Sequence, residues 1–267
     1  MRHCIAVFCF SLLLPAAAQA VQCGGDFRSF ITAVSGEAVN AGLSPAIVAR
    51  ALAGVAPDQT VLASDRRQQR EFSKSFEHYS AIAVTPQRTE RGRKLLRKNA
   101  ALLSRIEREF GVPAPVIVAI WGLETHYGTR DLGDLPVIRT LATLAYDCRR
   151  TELFQSELLA ALQILQRGDL PLRDMIGGNA GEIGQTQFLP SSYLKYGVDY
   201  DKDGHVNLRR SVPDVLASTA NFLKANGWQP NAPFGEGTAN FEVMRTWNQA
   251  LLYRKAIVLL AERMNER

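Results

Sequence analysis

Three groups of residues in the 267-residue sequence have types and spacings that could do chemistry. The first is Glu124, which follows Val116 to Leu123, a run apolar on every side that reads as a helix buried in a core. Ile117, Ile120, Trp121 and Glu124 fall at i, i+3, i+4 and i+7, so they share one face. A carboxyl group carried there loses hydration, which favours its protonated form and suits it to general-acid chemistry near neutral pH. The competing reading is a surface glutamate at a helix end, or one neutralised by an arginine.

The second group is the loop Asp199 to Asn207, DYDKDGHVN. Asp199, Asp201 and Asp203 take positions 1, 3 and 5 of a calcium-loop pattern, and Gly204 takes the sharp turn at position 6. His205 at position 7 would contribute its backbone carbonyl. Position 12 is Arg210 rather than a bidentate glutamate, and Asp214, four residues on, could close the shell. The pattern predicts one structural calcium ion. The other reading is a solvated acidic turn. A transition metal at His205 fits less well, because the remaining donors are all oxygens.

The third group is Gly177 to Pro190, GGNAGEIGQTQFLP. Four glycines in eight residues let the backbone turn sharply and approach a ligand closely. Gln185 and Gln187 can each donate and accept hydrogen bonds, which suits the amides and hydroxyls of a sugar. The stretch lacks the Lys and Ser/Thr of a phosphate-binding loop.

Helices must position these groups. Pro113 starts the helix that carries Glu124. Arg91 to Phe110 reads as one amphipathic helix ended by Gly111, and Thr151 to Arg167 as another closed by Gly168. Phe27 to Val55 reads as two helices parted at Gly42-Leu43-Ser44-Pro45, with Ser44 as cap and Pro45 as first residue. The basic runs Asp65 to Arg70 and Arg88 to Lys98 read as solvated helix faces, in preference to a rim for an anionic polymer. No series of alternating strands stands out, so the fold class is mainly α. Net charge is +5, a weak pull towards acidic partners, and there is no repeat of 20–50 residues.

Met1 to Ala20 has a positive start, a ten-residue apolar run from Ile5 to Leu14, and Ala18-Gln19-Ala20 as a cleavage signal. It reads as a cleaved signal peptide, which implies export to the periplasm. The run is too short to span a bilayer stably. Of the four cysteines, Cys23 and Cys148 remain after cleavage. An even pair in an exported chain predicts a disulfide, with two free thiols as the alternative.

Taken in order, GLETHYG with Glu124, LATLAYDCRR, GEIGQTQFLPSSY, VDYDKDGHVNL, ASTANFLKANGW and TWNQALLY resemble the family of membrane-bound lytic transglycosylase B, within the lysozyme-like superfamily. The resemblance runs from about Arg91 to the C-terminus and more loosely upstream. It implies a lysozyme-like helical domain over 91–267 with an N-terminal helical extension over 21–90. It implies non-hydrolytic cleavage of peptidoglycan glycan strands, with Glu124 as the single acid/base. It places Gln187 on the cleft, brings Asn248 and Tyr253 back to it, and sets Arg149 and Arg150 beside it. It matches the aspartate loop to a calcium site and implies no organic cofactor. Beyond the first twenty residues no stretch is long and apolar enough to span a membrane, and the chain is expected to be a monomer that binds no nucleic acid. Two positions depart from the family pattern. Gly178 stands where better-known members have a serine, and Glu182 where they have a small residue, so Glu182 joins the candidate site residues. The rival activity is a lysozyme-type hydrolase in which Asp131, Asp134 or Glu182 activates a water. A non-catalytic peptidoglycan-binding protein is the rival of another class.

Overall fold

A computed structural model describes residues 21–68 and 75–266 of the chain. The expected signal peptide lies outside these residues. Among them are thirteen α-helices. The first six are α1 (Phe27–Asn40), α2 (Pro45–Leu52), α3 (Gln59–Gln68), α4 (Phe76–Ala83), α5 (Pro86–Lys98) and α6 (Ala100–Phe110). Then follow α7 (Ala114–Thr125), α8 (Val137–Tyr146), α9 (Thr151–Arg167) and α10 (Pro190–Tyr196). The last three are α11 (Val212–Ala225), α12 (Ala239–Trp247) and α13 (Leu251–Asn265). The strand content of the described residues is one antiparallel pair of two-residue strands, β1 (Leu135–Pro136) and β2 (Ile176–Gly177), with Leu135 opposite Gly177.

The centre is α7. Val116 to Gly122 and Thr125 are all buried, as expected of a helix with no polar face. Helices α5, α6, α11 and α13 pack around it. Ile117 and Ile120 are inaccessible to solvent, and burying each stabilises the fold by roughly 1.5–3 kcal/mol. A second layer is α8 against α9, with α1, α2, α3 and α10 laid over them. One apolar core runs through both layers, from Phe30 to Met264. The boundary expected at residue 90 falls inside α5, which packs on α7 and α13 as part of that core.

Three local expectations change. Arg91 to Phe110 is two helices parted at Asn99, whose N–H keeps the helical bond to the Leu95 carbonyl while its side-chain Nδ2 adds a competing one to the same carbonyl, each at 3.0 Å. An asparagine that competes in this way for backbone groups ends a helix. The break lets α6 turn towards α11 while α5 stays on α7 and α13. Ser44 makes no side-chain cap; its N–H donates to Gln166 Oε1 at 2.7 Å, and Pro45 starts α2 unaided. The basic runs are not simply solvated faces. Asp65 is buried between Arg149 and Arg150, and Arg88 turns inward to His126 Nε2 at 2.5 Å. Arg91, Lys94, Arg97 and Lys98 are exposed as expected.

Cys23 and Cys148 form a disulfide, with Cα atoms 5.2 Å apart. It fastens the segment before α1 to the turn between α8 and α9. Beside it the Gly24 N–H donates to the Tyr146 carbonyl at 3.1 Å, and Phe27 meets the Tyr146 ring edge-on at 5.1 Å.

Candidate active site

Helix α7 delivers Glu124 in its last turn, and the chain leaves that turn through two left-handed residues, His126 and Tyr127. Thr125 and Trp121 then lock the glycine-rich stretch to α7. Thr125 Oγ1 donates to the Gln185 carbonyl, and Trp121 Nε1 donates to Gln185 Oε1 at 2.9 Å. Gln185 Nε2 donates onward to the Arg209 carbonyl at 2.9 Å. Gln185 is only 7% exposed, so it is a structural brace and not the sugar-facing group its type suggested. Gln187, two residues on, does face the cleft; its Nε2 donates to the Gly184 carbonyl at 2.7 Å.

The cleft has a volume of about 330 Å³ and is lined by Glu124, Glu182, Gln187, Asn248, Trp247 and Arg150, with Phe154, Phe188 and Phe222 among its apolar walls. The turn between α12 and α13 closes one side. Trp247 Nε1 donates to Glu124 Oε1 at 2.9 Å, and the Tyr253 hydroxyl donates to the same oxygen. Asn248 Oδ1 accepts from the Ala250 N–H at 2.9 Å, so it organises the start of α13 while its residue lines the cleft.

Burial holds the Glu124 carboxyl above the usual carboxylate range. The hydrogen bonds from Tyr253 and Trp247 oppose that rise, and the nearby Glu182 adds to it. Both donors fall on Oε1, and neither reaches Oε2. Tyr253 in turn is pushed well up by burial and by Glu124, so it remains a hydroxyl donor.

Glu182 lines the cleft as well, with its Oε2 accepting from the Ala180 N–H at 2.8 Å. A side chain on Gly178 would place its Cβ 2.5 Å from that oxygen and 2.8 Å from Gln187 Oε1. The absence of a side chain at 178 is what makes room for both. Asp131 and Asp134 are exposed and do not line the cleft; Asp131 Oδ2 lies 3.1 Å from His126 Nδ1. Of the expected arginine pair, only Arg150 lines the cleft, paired with Asp65 and set 4.8 Å over the Phe154 ring. Arg149 is turned away onto Asp65 and onto Asp147 at 2.8 Å.

In the aspartate loop, carboxylate oxygens of Asp199, Asp201 and Asp203 lie within 4.8 Å of one another. All are hard oxygen donors, which fits a calcium-like cation. Asp214 is not in that group. It is buried and accepts from the N–H groups of Tyr200 and Asn207, each at 2.8 Å, so it shapes the loop from beneath. The His205 N–H donates to Asp203 Oδ1 at 2.9 Å, and Arg210 pairs with Asp174 at 3.1 Å.

Sequence reasoning missed Trp247, although it adjoins Asn248 in a quoted motif, and an indole N–H beside a cleft asparagine was the available signal. It also missed Tyr79 on α4, whose phenol is held above its ordinary value by burial and by the nearby Glu124, and Arg88 on α5, which lies within electrostatic reach of Tyr79 and Tyr253. Nothing in their spacing from Glu124 pointed there.

The transglycosylase SLT domain family matches residues 26–238, most of the chain. The chain belongs to this family. Among its relatives, membrane-bound lytic murein transglycosylase B of Escherichia coli K12 is 40% identical over 152 residues, 56% of this chain and 41% of the relative. The match therefore spans less than half of that relative's length. SltB3 from Pseudomonas aeruginosa, solved in complex with NAG-NAM-pentapeptide, superposes with a TM-score of 0.85 at 33% identity, over 91% of this chain and 81% of SltB3. The Escherichia coli lytic transglycosylase Slt35, solved in complex with calcium, superposes with a TM-score of 0.78 at 26% identity, over 91% of this chain and 95% of Slt35. The architecture of this transglycosylase SLT domain is thus the lysozyme-like one of the lytic transglycosylases, and the family match from residue 26 runs through the expected extension as well as the expected catalytic part.

Proposed function

We propose that this protein is a peptidoglycan lytic transglycosylase that cleaves the β-1,4 bond between N-acetylmuramic acid and N-acetylglucosamine without water, leaving 1,6-anhydro ends. The observation that carries this reading is Glu124, half-buried on the cleft, with Trp247 and Tyr253 both donating to Oε1. Burial favours the protonated carboxyl, which gives its proton to the bridging oxygen as the bond breaks. The carboxylate so formed is held by the same two donors. It then takes the proton of the C6 hydroxyl, which attacks the anomeric carbon, and the acid is regenerated. SltB3 complexes with NAG-NAM-pentapeptide and with NAG-anhNAM-pentapeptide support this reading of the cleft. Gln187, Asn248, Arg150 and Glu182 are the groups available to the sugars.

One observation favours a second reading. Glu182 is another carboxylate on the same cleft, and a glycosidase with two carboxylates can activate a water. Digestion of sacculi in water enriched in oxygen-18 separates the two. Unlabelled anhydro ends, one water lighter than lysozyme products, are expected, because the C6 hydroxyl is already part of the bound sugar and such orientation is worth roughly 7–11 kcal/mol. Labelled reducing ends would make the protein a muramidase, and no cleavage would make it a binding protein.

The reading includes a cleaved signal peptide, residence in the periplasm and a monomer. It also includes a calcium ion held by Asp199, Asp201 and Asp203 with the carbonyl of His205, supported by the convergence of the three carboxylates and by the calcium complex of Slt35. An ion bound only by the folded loop raises stability by mass action. Calcium should therefore raise Tm, and Asp201→Ala should abolish the rise. Equal Tm values in calcium and in chelator would remove the ion from the account. No helix among the described residues is long and apolar enough to cross a membrane.

A further inference from the structure

Glu182 is a cleft carboxylate that the proposed reaction does not use. It lines the same 330 Å³ cleft as Glu124. Its position is built, not incidental. The backbone folds back on itself there, with the Gly178 N–H donating to the Glu182 carbonyl at 2.9 Å, and the Ala180 N–H holds Oε2 at 2.8 Å. The carboxylate occupies the space a side chain at 178 would need, since a Cβ there would lie 2.5 Å from Oε2.

Resting on the reading of Glu124 as acid/base, we infer that Glu182 is a positioning residue for that proton: seated over Gly178, its carboxylate sets a negative charge on the same cleft that helps to keep the proton on Glu124 until substrate enters.

The other charged and titratable groups around Glu124 do not supply this. Tyr253 on α13, with the indole of Trp247, donates to Oε1 and so favours the ionised form. Tyr79 on α4 is neutral at working pH, because burial holds its phenol above its ordinary value. Arg88 on α5 is a cation, but its guanidinium is tied to His126 Nε2 at 2.5 Å and to the Ala83 carbonyl. His126, at the end of α7, is held towards its neutral form by burial and by Arg88. Arg150, at the start of α9, is paired with Asp65 on α3. The wall from α11 presents Phe222 to the cleft. Two donors therefore pull Glu124 towards the carboxylate; burial pulls the other way, and Glu182 is the charge that adds to it. An alkaline-side loss of activity would otherwise begin at lower pH.

The test is the pH dependence of sacculus cleavage by the mature protein, read from the midpoint of the alkaline limb of kcat/KM. Glu182→Gln keeps the shape and removes the charge, and it should move that midpoint down by about half a unit or more. Glu182→Asp keeps the charge and should restore most of the shift. Gly178→Ser should act like Glu182→Gln, because the new side chain displaces the carboxylate, and it should add little in the Glu182→Gln background. Carbon-13 carboxyl titration of Glu124 in the free protein gives the same comparison without substrate, so a role in sugar contact alone would change KM and leave this titration in place. If Glu182→Gln does not fold, Glu182→Ser serves as the neutral variant. A midpoint that stays at the wild-type value in a folded neutral variant overturns the inference. If Glu124→Gln is inactive while that midpoint stays, only this inference falls; if Glu124→Gln still cleaves, the acid/base reading falls with it.

Discussion

A single oxygen, Glu124 Oε1, receives both donors that the C-terminal helices bring to the cleft. Glu124→Gln should lower cleavage by about 10²–10⁴-fold, the usual worth of a positioned acid/base, and turnover above a tenth of wild type would exclude the assignment. Stability gives an independent check. Because the folded-state pKa of Glu124 is raised, the folded protein binds the proton more tightly than the unfolded chain. That contribution is complete below the unfolded value and is lost as pH rises through the folded one. The Tm of Glu124→Gln relative to wild type should therefore climb with pH above about 4.3, the usual value for an unfolded Glu. A difference in Tm independent of pH would argue against a perturbed carboxyl. Tyr253→Phe removes a donor that favours the carboxylate, so the alkaline limb should move to higher pH, and rate should fall by roughly 10–100-fold for the loss of one hydrogen bond to a charged group. An unmoved limb would mean that Tyr253 packs there without acting on Glu124.

At the scale of elements, α7 is the part that tolerates least change. Val116 to Gly122 have no exposed face, so the helix is held by packing on all sides rather than by its caps, and Pro113 makes no side-chain cap. The disulfide has a different task. It joins the segment ahead of α1 to the turn that presents Arg149 and Arg150. Closing a loop with a sequence separation of 125 removes chain entropy worth at most about 5 kcal/mol from the unfolded state. Cys23→Ser with Cys148→Ser should lower Tm by about 2–4 °C per kcal/mol lost. Wild-type protein produced under oxidising conditions and denatured without reductant should titrate no free thiol from these two residues; two thiols would show that the bond does not form.

Across the whole molecule, the apolar core is continuous from Phe30 on α1 to Met264 on α13. Helices α1 and α2 pack on α8 and α9, and α4 and α5 pack on α13, so residues from before position 90 stabilise both layers. Denaturation of the protein should accordingly give coincident transitions by far-ultraviolet circular dichroism and by the fluorescence of Trp121, Trp228 and Trp247. A separate early loss of helix with unchanged tryptophan signal would show that the N-terminal part melts as its own unit.

The amino-acid sequence determined the helical class, the burial of α7, the placing of Glu124 on it and the convergence of Asp199, Asp201 and Asp203. Each follows from local spacing: apolar residues without a polar face, or three carboxylates within five positions around a glycine. The break at Asn99 was local too, but it depends on whether an asparagine bonds its own backbone, which residue type leaves open. The tertiary structure alone decided the partners of Glu124. Trp247 and Tyr253 lie 123 and 129 residues away, and only the packing of α13 against α7 brings them together. The same holds for the two glutamines, alike in type and two residues apart. Gln185 points into the core to Trp121, while Gln187, in a left-handed backbone conformation, faces the cleft. Which way each turns depends on what lies across the interface, and that information is spread over the whole chain.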